Sequence, residues 1–456
     1  MDGIIVAIWR SAKKLALWST WLLLSLTIFY VGSLPLVGGS DTHGLFSPGP
    51  LSDTHYSFED ACGLCHKPFA AAGRSCAGCH EEIVSRADFS HTPNVNLKPV
   101  QARMGVQLTA DGCTHCHAEH KGQQRTAMLV SMAAGFCQSC HEEVVAESHS
   151  HAGLSFEECR TCHNYHDNRF SDARFVQRNR RGGKMKDPAR LVERNHLQRY
   201  RQTSIYATRQ LAAADNDAPD GFTPNPGIVD KWAQSRHADA GVNCSFCHTS
   251  DKQREVWEKR PEQEACSECH ANEVDGFLDS RHGMGQRQGL PPLALDRARL
   301  AMSAHEGEER VSTCFSCHPS HRFDTREAAV EACLSCHDDE HSRGYKGSLH
   351  YTAWQAELKG EKQPGEGVSC ATCHLPREAH GDDKQQDILV QHNVSGDLRP
   401  KTKMIRGVCV QCHGLKFTLR ALSSDDLVKA NFVESPGRTP IPLIKFVKRK
   451  KLGLEQ

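Results

Sequence analysis

The chain has 456 residues, and its 55 Lys and Arg balance its 55 Asp and Glu, so the formal net charge is zero. This balance excludes a nucleic-acid binder that works through bulk positive charge. Hydrophobic residues make up 38% of the chain, but 22 of them are cysteines. Few ordinary apolar side chains are therefore left for a core, and another group must fill the interior.

The first predicted element is an apolar segment at residues 15–37, which is long enough to cross a bilayer as one helix. Residues 1–14 carry Arg10, Lys13 and Lys14, while Asp41 follows the segment. The positive-inside rule then places residues 1–14 in the cytoplasm and the rest of the chain outside it. A signal peptide cleaved near residues 38–40 is the alternative, although its apolar core is usually only about 7 to 15 residues long.

Every cysteine belongs to a C-x-x-C-H motif, and there are eleven such motifs. Two thiols at this spacing can add to the two vinyl groups of one porphyrin, and the adjacent imidazole can then reach the iron. Structural zinc and disulfides are the alternatives, but neither requires a histidine after every pair. We therefore expect eleven covalently attached haem c groups. Their cysteines and proximal histidines are Cys62, Cys65 and His66; Cys76, Cys79 and His80; Cys113, Cys116 and His117; Cys137, Cys140 and His141; Cys159, Cys162 and His163; Cys244, Cys247 and His248; Cys266, Cys269 and His270; Cys314, Cys317 and His318; Cys333, Cys336 and His337; Cys370, Cys373 and His374; and Cys409, Cys412 and His413.

The motifs form two clusters, which predict a five-haem domain at residues 52–170 and a six-haem domain at residues 232–415. Residues 171–231 are predicted as a basic helical linker, with a helix over 188–214. Its basic face is either a dock for haem propionates or an anionic partner, or a solvated helix face. Residues 416–456 are predicted as a basic C-terminal tail. The expected fold class is mainly α with extensive coil and one N-terminal transmembrane helix, with short helices such as 294–309 and 326–336.

Histidines outside the motifs are the candidate distal ligands of the irons. There are seventeen of them, whereas only seven internal methionines are present, so bis-histidine ligation is the expectation for most irons. His120, His166 and His321 each follow a proximal histidine by three residues, which places each nearer an adjacent iron than its own. The distal candidates are His55, His91, His120, His151 and His166 in the first cluster, and His237, His282, His305, His321, His341, His350, His380 and His392 in the second; His43, His115, His149 and His196 are spares.

The two clusters differ in how many candidates they offer. Five candidates for five irons favour pure electron transfer in the first cluster. Eight for six irons in the second cluster permit either complete ligation or one open iron lined by histidines that donate protons. The catalytic residues of such a site are unknown.

Two stretches resemble known multihaem families. The first cluster, with H-x-x-F-x-x-A-C-x-x-C-H-x-P-F from His55 and C-x-x-C-H-x-E-H-x-G from Cys113, resembles class III-type cytochromes. The second, with W-x-x-S-x-H-x-x-x-G-V-x-C-x-x-C-H from Trp232 and S-x-H-x-x-x-W from Ser348, resembles the family of cytochrome c554 and octahaem hydroxylamine oxidoreductases. That family's cross-linking tyrosine has no counterpart after Tyr351, and no motif carries the proximal lysine of pentahaem nitrite reductases.

These features predict a membrane-anchored cytochrome with eleven haems that relays electrons between the membrane and a redox protein. The expected place is a bacterial inner membrane, crossed once, with the haem domains in the periplasm. The architecture resembles quinol-oxidising cytochromes, which makes membrane quinol a candidate donor and a larger complex an open possibility; no nucleic acid is expected. The alternative is an oxidoreductase that acts on a small nitrogen or sulfur compound at an open haem in the second cluster.

Overall fold

A computed structural model describes the chain as mainly helical with extensive coil and little sheet, which confirms the predicted fold class. The described residues are 2–37, 47–52, 54–67, 70, 72–81, 83, 112–115, 117–121, 209–222, 225–249, 256–303, 310–382, 385–396, 398 and 403–436. They fall into two compact units. One contains the described residues up to 121, and the other contains those from 209 onward.

The N-terminal helix Asp2–Val37 contains the predicted apolar segment. Within it, Lys13–Val31 is apolar and long enough to cross a membrane, and none of this stretch is buried against the rest of the chain. The hydroxyls of Ser19, Thr20 and Thr27 each donate to the carbonyl four residues earlier, at 2.8 Å. Because these polar groups are bonded within the helix, they do not require water.

The first unit is built from short elements that surround its motifs. A turn of 3-10 helix covers Tyr56–Phe58, and the helices Cys62–Cys65 and Ala72–Cys79 carry the first two motifs. A second 3-10 turn, Cys113–His115, begins the third motif. Leu51 and Phe58 are its buried apolar residues among those described.

The second unit consists of short helices joined by irregular chain. Its helices are Pro226–Ala233, Arg236–Asp239, Cys244–His248, Glu264–Leu278, Met284–Arg287, Cys314–Cys317, Thr325–Ala329, Glu331–Leu334, Glu340–Tyr345, Leu349–Leu358, Cys370–His374, Met404–Gly407, Leu415–Ser423 and Asp425–Lys429, with 3-10 turns at Ala213–Asp215, Asp220–Phe222, Leu295–Arg297 and Cys409–Gln411. Most are one or two turns long, which is too short for stability without tertiary contacts.

One antiparallel hairpin interrupts the helices. Strand Arg377–Asp382 pairs with strand Gln385–Val390, with Arg377 opposite Val390 and Asp382 opposite Gln385. The second strand ends in Ile388, Leu389 and Val390, which are buried. The hairpin therefore packs into the interior at its open end, where Arg377 follows the motif Cys370–His374.

The apolar core of this unit is divided into small clusters. Leu211, Trp232 and Ala238 form one; Val330, Tyr345 and Trp354 form a second. The largest joins Ile405, Val410, Leu415, Leu419 and Leu422, so packing continues past residue 415, the sequence-based boundary of the six-haem domain. Residues 437–456, the remainder of the predicted tail, lie outside the described residues.

Three predicted helices have different outcomes. The prediction over 326–336 is confirmed as two short helices that meet at Val330, whose φ of −142° is not helical. The prediction over 294–309 is wrong in its described part, because Ala294 bridges to Val311 and Met302 bridges to His337, and the chain between them forms only the 3-10 turn Leu295–Arg297. The prediction over 188–214 lies mostly outside the described residues. Its end is not helical, since the N–H of Leu211 donates to the carbonyl of Ala238, at 2.9 Å.

Trp232 is the residue of these clusters whose loss we expect to cost most. It is 5% exposed, and its Nε1 donates to the carbonyl of Val242 at 3.0 Å. Trp232→Ala is expected to lower the free energy of unfolding by about 3 to 5 kcal/mol, because it leaves a cavity. Trp232→Phe is the control that keeps most of the ring and loses the hydrogen bond, for about 1 to 3 kcal/mol. Denaturant titration checks both, and equal losses in the two variants would contradict the packing argument.

Candidate haem sites

Each described motif folds as a single helical turn. The N–H of the motif histidine donates to the carbonyl of the first cysteine, at 2.8 Å for His66 and Cys62 and at 2.9 Å for His318 and Cys314. Residues separated by three and four positions share one face of a helical turn. The two thiols and the imidazole of each motif are therefore presented together, as one porphyrin requires.

Caps determine where these turns begin and end. Asn243 accepts a bond from the N–H of Cys244 at 2.9 Å, and Ser369 accepts one from Thr372 at 3.1 Å. Side chains of these types stabilise a helix start. In the longer helix Glu264–Leu278 the motif occupies the first turns, and the backbone kinks at its histidine, His270, where φ is −115° and ψ is 38°.

The motif histidines face imidazoles from elsewhere in the sequence. Eight such pairs occur in the described residues, and in each the ring centroids are 6.0 to 6.3 Å apart. Each pair joins one proximal histidine to one of the predicted distal histidines. The pairs, distal residue first, are His120 with His66, His55 with His80, His321 with His248, His237 with His270, His392 with His318, His282 with His337, His341 with His374 and His350 with His413.

This separation fits an iron atom between two imidazoles. Two metal–nitrogen bonds of about 2 Å, and about 1 Å from each ring centre to its nitrogen, place the centroids about 6 Å apart. Two rings in direct contact would pack more closely, as His413 and Phe417 do at 4.7 Å. The paired residues therefore fit a haem, whose iron would take one nitrogen from each ring and whose vinyl groups would bond the two thiols.

Hydrogen bonds at Nδ1 leave Nε2 of several paired imidazoles to face the iron. Nδ1 lies 2.6 Å from the Glu258 carbonyl in His248 and 2.8 Å from the Val390 carbonyl in His392. His341 also has its Nδ1 against the carbonyl of Val428, but the Asn431 amide lies 3.2 Å from its Nε2 and 3.0 Å from its carbonyl, so an iron at Nε2 would displace the first of these amide contacts. A ligand imidazole normally donates its second N–H in this way, which fixes its tautomer and orientation.

Buried polar caps position the distal histidines of the second unit. Three of them occur as S-x-H, and the serine of each is 0 to 2% exposed. Ser235 accepts a bond from Ala238, Ser280 from His282, and Ser348 from Tyr351, at 3.1 to 3.3 Å. Each serine therefore begins the turn that carries His237, His282 or His350.

The backbone at His120 and His321 explains why these residues do not serve their own motif. Both residues have positive φ, 59° and 68°, in the left-handed region that is uncommon for histidine. The left-handed residue turns the chain after C-H-x-x-H, and the imidazole faces the proximal histidine of another motif. His321 pairs with His248 rather than His318, and His120 with His66 rather than His117.

The protonation states of the imidazoles suit iron binding. Burial lowers the pKa of His237, His282 and His374 to about 4, with a smaller effect from the paired imidazole. These rings are therefore neutral at physiological pH, which is the form that binds iron. Burial raises the pKa of the Cys247 thiol to about 11 and that of Cys373 to about 12.

The raised pKa values of Cys247 and Cys373 disfavour the thiolates that zinc requires, whereas a hydrogen bond with a neighbouring thiol lowers the pKa of Cys266 and of Cys370. Among the described residues, no group of three or more His, Cys, Asp or Glu side chains is placed to hold a metal ion. The cysteines that the structure describes are also free of disulfides. The arrangement therefore favours haem attachment over both alternatives.

Thiols of consecutive motifs in the second unit are neighbours. Cys266 and Cys314 are hydrogen-bond partners, as are Cys333 and Cys370, and these contacts with burial raise the pKa of Cys314 and Cys333. At the other three pairs of consecutive motifs, a thiol of the later motif contributes to the raised pKa of a thiol in the earlier one. In chain order the neighbours are Cys247 with Cys269, Cys266 with Cys314, Cys317 with Cys333, Cys333 with Cys370, and Cys373 with Cys409.

Several predicted site residues lie outside the described residues or have side chains that the structure does not describe. They are Cys116, Cys137, Cys140, Cys159, Cys162, His91, His141, His151, His163, His166, His305 and His380. Their assignments stay predictions.

Four side chains next to the imidazoles were not singled out in the sequence. Trp257 stacks on His248 with centroids 4.9 Å apart, Phe323 meets His237 edge-on at 4.5 Å, and Phe417 stacks on His413. Glu119 lies 2.6 Å from Nδ1 of His55. Only Glu119 could have been found from the sequence, because it is the glutamate of the motif C-H-x-E-H. The aromatic residues lie at no regular offset from a motif.

Comparison with known proteins agrees with this chemistry. Residues 236–338 match the family described as cytochrome c3, and residues 107–146 match the doubled CXXCH motif. The first match contains three complete imidazole pairs: His237 with His270, His248 with His321, and His282 with His337. With the motifs, these matches define a multihaem c-type cytochrome that carries covalently bound haem c.

The likeness to a particular protein is limited to a short segment. Over 86 residues the chain is 31% identical to a protein of Nitratidesulfovibrio vulgaris described as cytochrome c nitrite reductase subunit NrfA, and the match covers 16% of each chain. The chain thus spans well under two thirds of that relative. No solved structure matches it. The cytochrome c3 match lies in the second cluster, whereas the class III resemblance was predicted for the first. The resemblances to particular subfamilies therefore stay predictions.

The angle between paired imidazoles predicts distinct spectra for two haems. The rings of His248 and His321 are 3° from parallel, whereas those of His237 and His270 are 88° apart. Parallel rings interact with one iron d orbital and lift the degeneracy that perpendicular rings preserve. We expect a rhombic low-spin electron paramagnetic resonance signal from the first pair and a highly anisotropic one from the second.

The two signals are assigned with single variants. His321→Ala is expected to remove one rhombic signal and create one high-spin haem, and His237→Ala to remove one highly anisotropic signal. His196→Ala, at a spare histidine, is the control and is expected to leave the spectrum unchanged. Loss of the same signal in both distal variants would contradict the pairing.

Proposed function

We propose that this chain is a membrane-anchored periplasmic cytochrome with eleven haems, which relays electrons between the membrane and a redox protein. The observation that carries the proposal is the ligand set of the second unit. All six of its proximal histidines face a second imidazole at 6.0 to 6.3 Å. An iron with two imidazole ligands has no free position for a substrate, so its remaining role is to accept and donate electrons.

The neighbouring thiols support a continuous path through this unit. Each haem, when bound, supplies a one-electron carrier whose iron alternates between the ferric and ferrous forms. Since thiols of consecutive motifs are neighbours from Cys247 to Cys409, the porphyrins that they hold would follow one another in chain order. Burial by the surrounding residues keeps His237, His282 and His374 neutral, which suits them as iron ligands.

The membrane end supports the anchoring of the relay. The apolar stretch Lys13–Val31 suits a bilayer span, and the basic residues before it suit a cytoplasmic N-terminus. Haem c attachment belongs outside the cytoplasm, which suits the remainder of the chain. Quinol dissolved in the same membrane is the proposed electron donor, and a soluble or membrane-bound redox protein is the proposed acceptor.

The competing function is reduction or oxidation of a small nitrogen or sulfur compound at an open haem. It is favoured by the relative that is described as a nitrite reductase, although that match covers only 16% of the chain. The second cluster was the expected place for an open iron, and there the imidazole pairs leave none among the described motifs.

A count of haems and of open irons tests the relay. We expect the mass of the mature chain to include eleven covalently attached haems and the oxidised protein to be wholly low-spin. A high-spin ferric signal in stoichiometric amount that responds to nitrite, hydroxylamine or sulfite would support the enzyme instead. Fewer than eleven haems would contradict the proposed count.

The membrane part of the proposal is tested with the full-length protein in detergent. A menaquinol analogue is expected to reduce its haems, and a variant in which residues 1–37 are replaced by a cleavable signal peptide is expected to be reduced much more slowly. Dithionite reduction of both proteins is the control for intact haems. A mature chain that begins near Ser40 would contradict the anchor, and no reduction by quinol would contradict a direct quinol donor.

A further inference from the structure

Glu119 makes a close contact with one distal imidazole of the first unit. Its Oε1 lies 2.6 Å from Nδ1 of His55, and Ser52 donates to it twice, from its N–H to Oε2 at 3.0 Å and from its hydroxyl to Oε1 at 3.2 Å. The side chains of His55 and Glu119 are 27% and 31% exposed. Water therefore screens this pair only in part.

The carboxylate is held in its charged form. Its two oxygens accept both bonds from Ser52 and lie against Nδ1 of His55, and an ionised carboxylate is the acceptor that suits these three donors. Glu119 therefore places a full negative charge next to the ring that His80 faces at 6.0 Å.

Two other paired imidazoles have a neutral acceptor at the same atom, whereas at His270 and His337 a carboxylate oxygen lies 4.0 Å from Nδ1, beyond hydrogen-bond distance. Nδ1 of His120 lies 2.9 Å from the carbonyl of Gly49, and that of His248 lies 2.6 Å from the carbonyl of Glu258. A hydrogen bond to a carboxylate is stronger than one to a carbonyl, and it makes the imidazole a better electron donor to a metal. The His55 and His80 position therefore differs in charge from these two.

The segment that carries Glu119 also touches two other haem positions. His117 is the proximal histidine of the third motif, and His120 pairs with His66 of the first. Glu119 between them contacts the distal ligand of the second. Four consecutive residues thus connect three motifs, so a charge placed here acts at the centre of the first unit.

We propose that Glu119 lowers the reduction potential of the haem held between His55 and His80, through its hydrogen bond to His55. The inference rests on the proposed ligation by this pair. Reduction adds one electron to the ferric iron, with no bond made or broken and with the proton retained on Nδ1. The adjacent carboxylate opposes that added negative charge and, through the imidazole, stabilises the ferric form.

The test is a redox titration of the full-length holoprotein followed by electron paramagnetic resonance. His55→Ala first identifies the signal of this haem, as the low-spin signal that is replaced by a high-spin one. Glu119→Gln keeps the shape of the side chain and removes its charge. We expect it to raise the midpoint potential of that signal, with a change of about tenfold in the reduction equilibrium, or about 59 mV for one electron.

Two further variants separate charge from shape. Glu119→Asp keeps the charge on a shorter side chain and is expected to shift the potential less than Glu119→Gln. Glu59→Gln is the control, because Glu59 accepts a bond from the N–H of Leu51, next to Ser52 in the same unit. We expect no shift of this signal in the control.

Each outcome bears on a different claim. If His55→Ala leaves all spectra unchanged, the ligation itself is wrong. If that variant behaves as expected but Glu119→Gln causes no upward shift, or a smaller one than Glu119→Asp, the tuning role is overturned. Loss of haem or of the low-spin signal in Glu119→Gln would assign the residue a folding role and also overturn the proposal.

Discussion

An iron held between two imidazoles requires rings that face each other about 6 Å apart, and the described fold is organised around that requirement. One ring of each pair is placed locally, because C-x-x-C-H closes a helical turn. The other must come from a distant part of the sequence, as with His318 and His392 or His350 and His413. Each pair thus ties two remote segments together. Eight such ties explain how one-turn helices, which are unstable alone, can hold a defined position.

The pairing of imidazoles from different motifs also determines which motifs are neighbours. His237 begins the segment of the sixth motif and pairs with the seventh, while His321 follows the eighth motif and pairs with the sixth. These crossed assignments force the sixth, seventh and eighth motifs into one neighbourhood. The contact of Cys266 with Cys314 agrees with that neighbourhood. If these imidazoles bind iron as proposed, the redox centres that they hold lie close together, which is the property that an electron relay needs.

From the sequence, the cysteines and proximal histidine of each site can be predicted, and so can most of the candidate distal histidines. Cysteine spacing specifies the attachment residues because the chemistry permits little variation. The short offset in C-H-x-x-H indicated that His321 would serve another iron, and its left-handed backbone supplies the physical reason. The particular partner of each distal histidine could not be predicted, because it depends on tertiary folding. The chain from residue 294 was mispredicted as helix because its alanines and leucines favour helix, whereas the bridges of Ala294 to Val311 and of Met302 to His337 leave only a 3-10 turn between them.

Haem binding also accounts for the small share of ordinary apolar side chains in this sequence. The apolar clusters are small and lie beside the motifs: Tyr345 and Trp354 border Cys370, and Ile405 and Leu415 border Cys409. Such clusters would be insufficient for a domain of this size. They suffice if porphyrin faces complete the interior between them. Folding and cofactor attachment are then one process, since the imidazole pairs have no reason to face each other at this distance until an iron joins them.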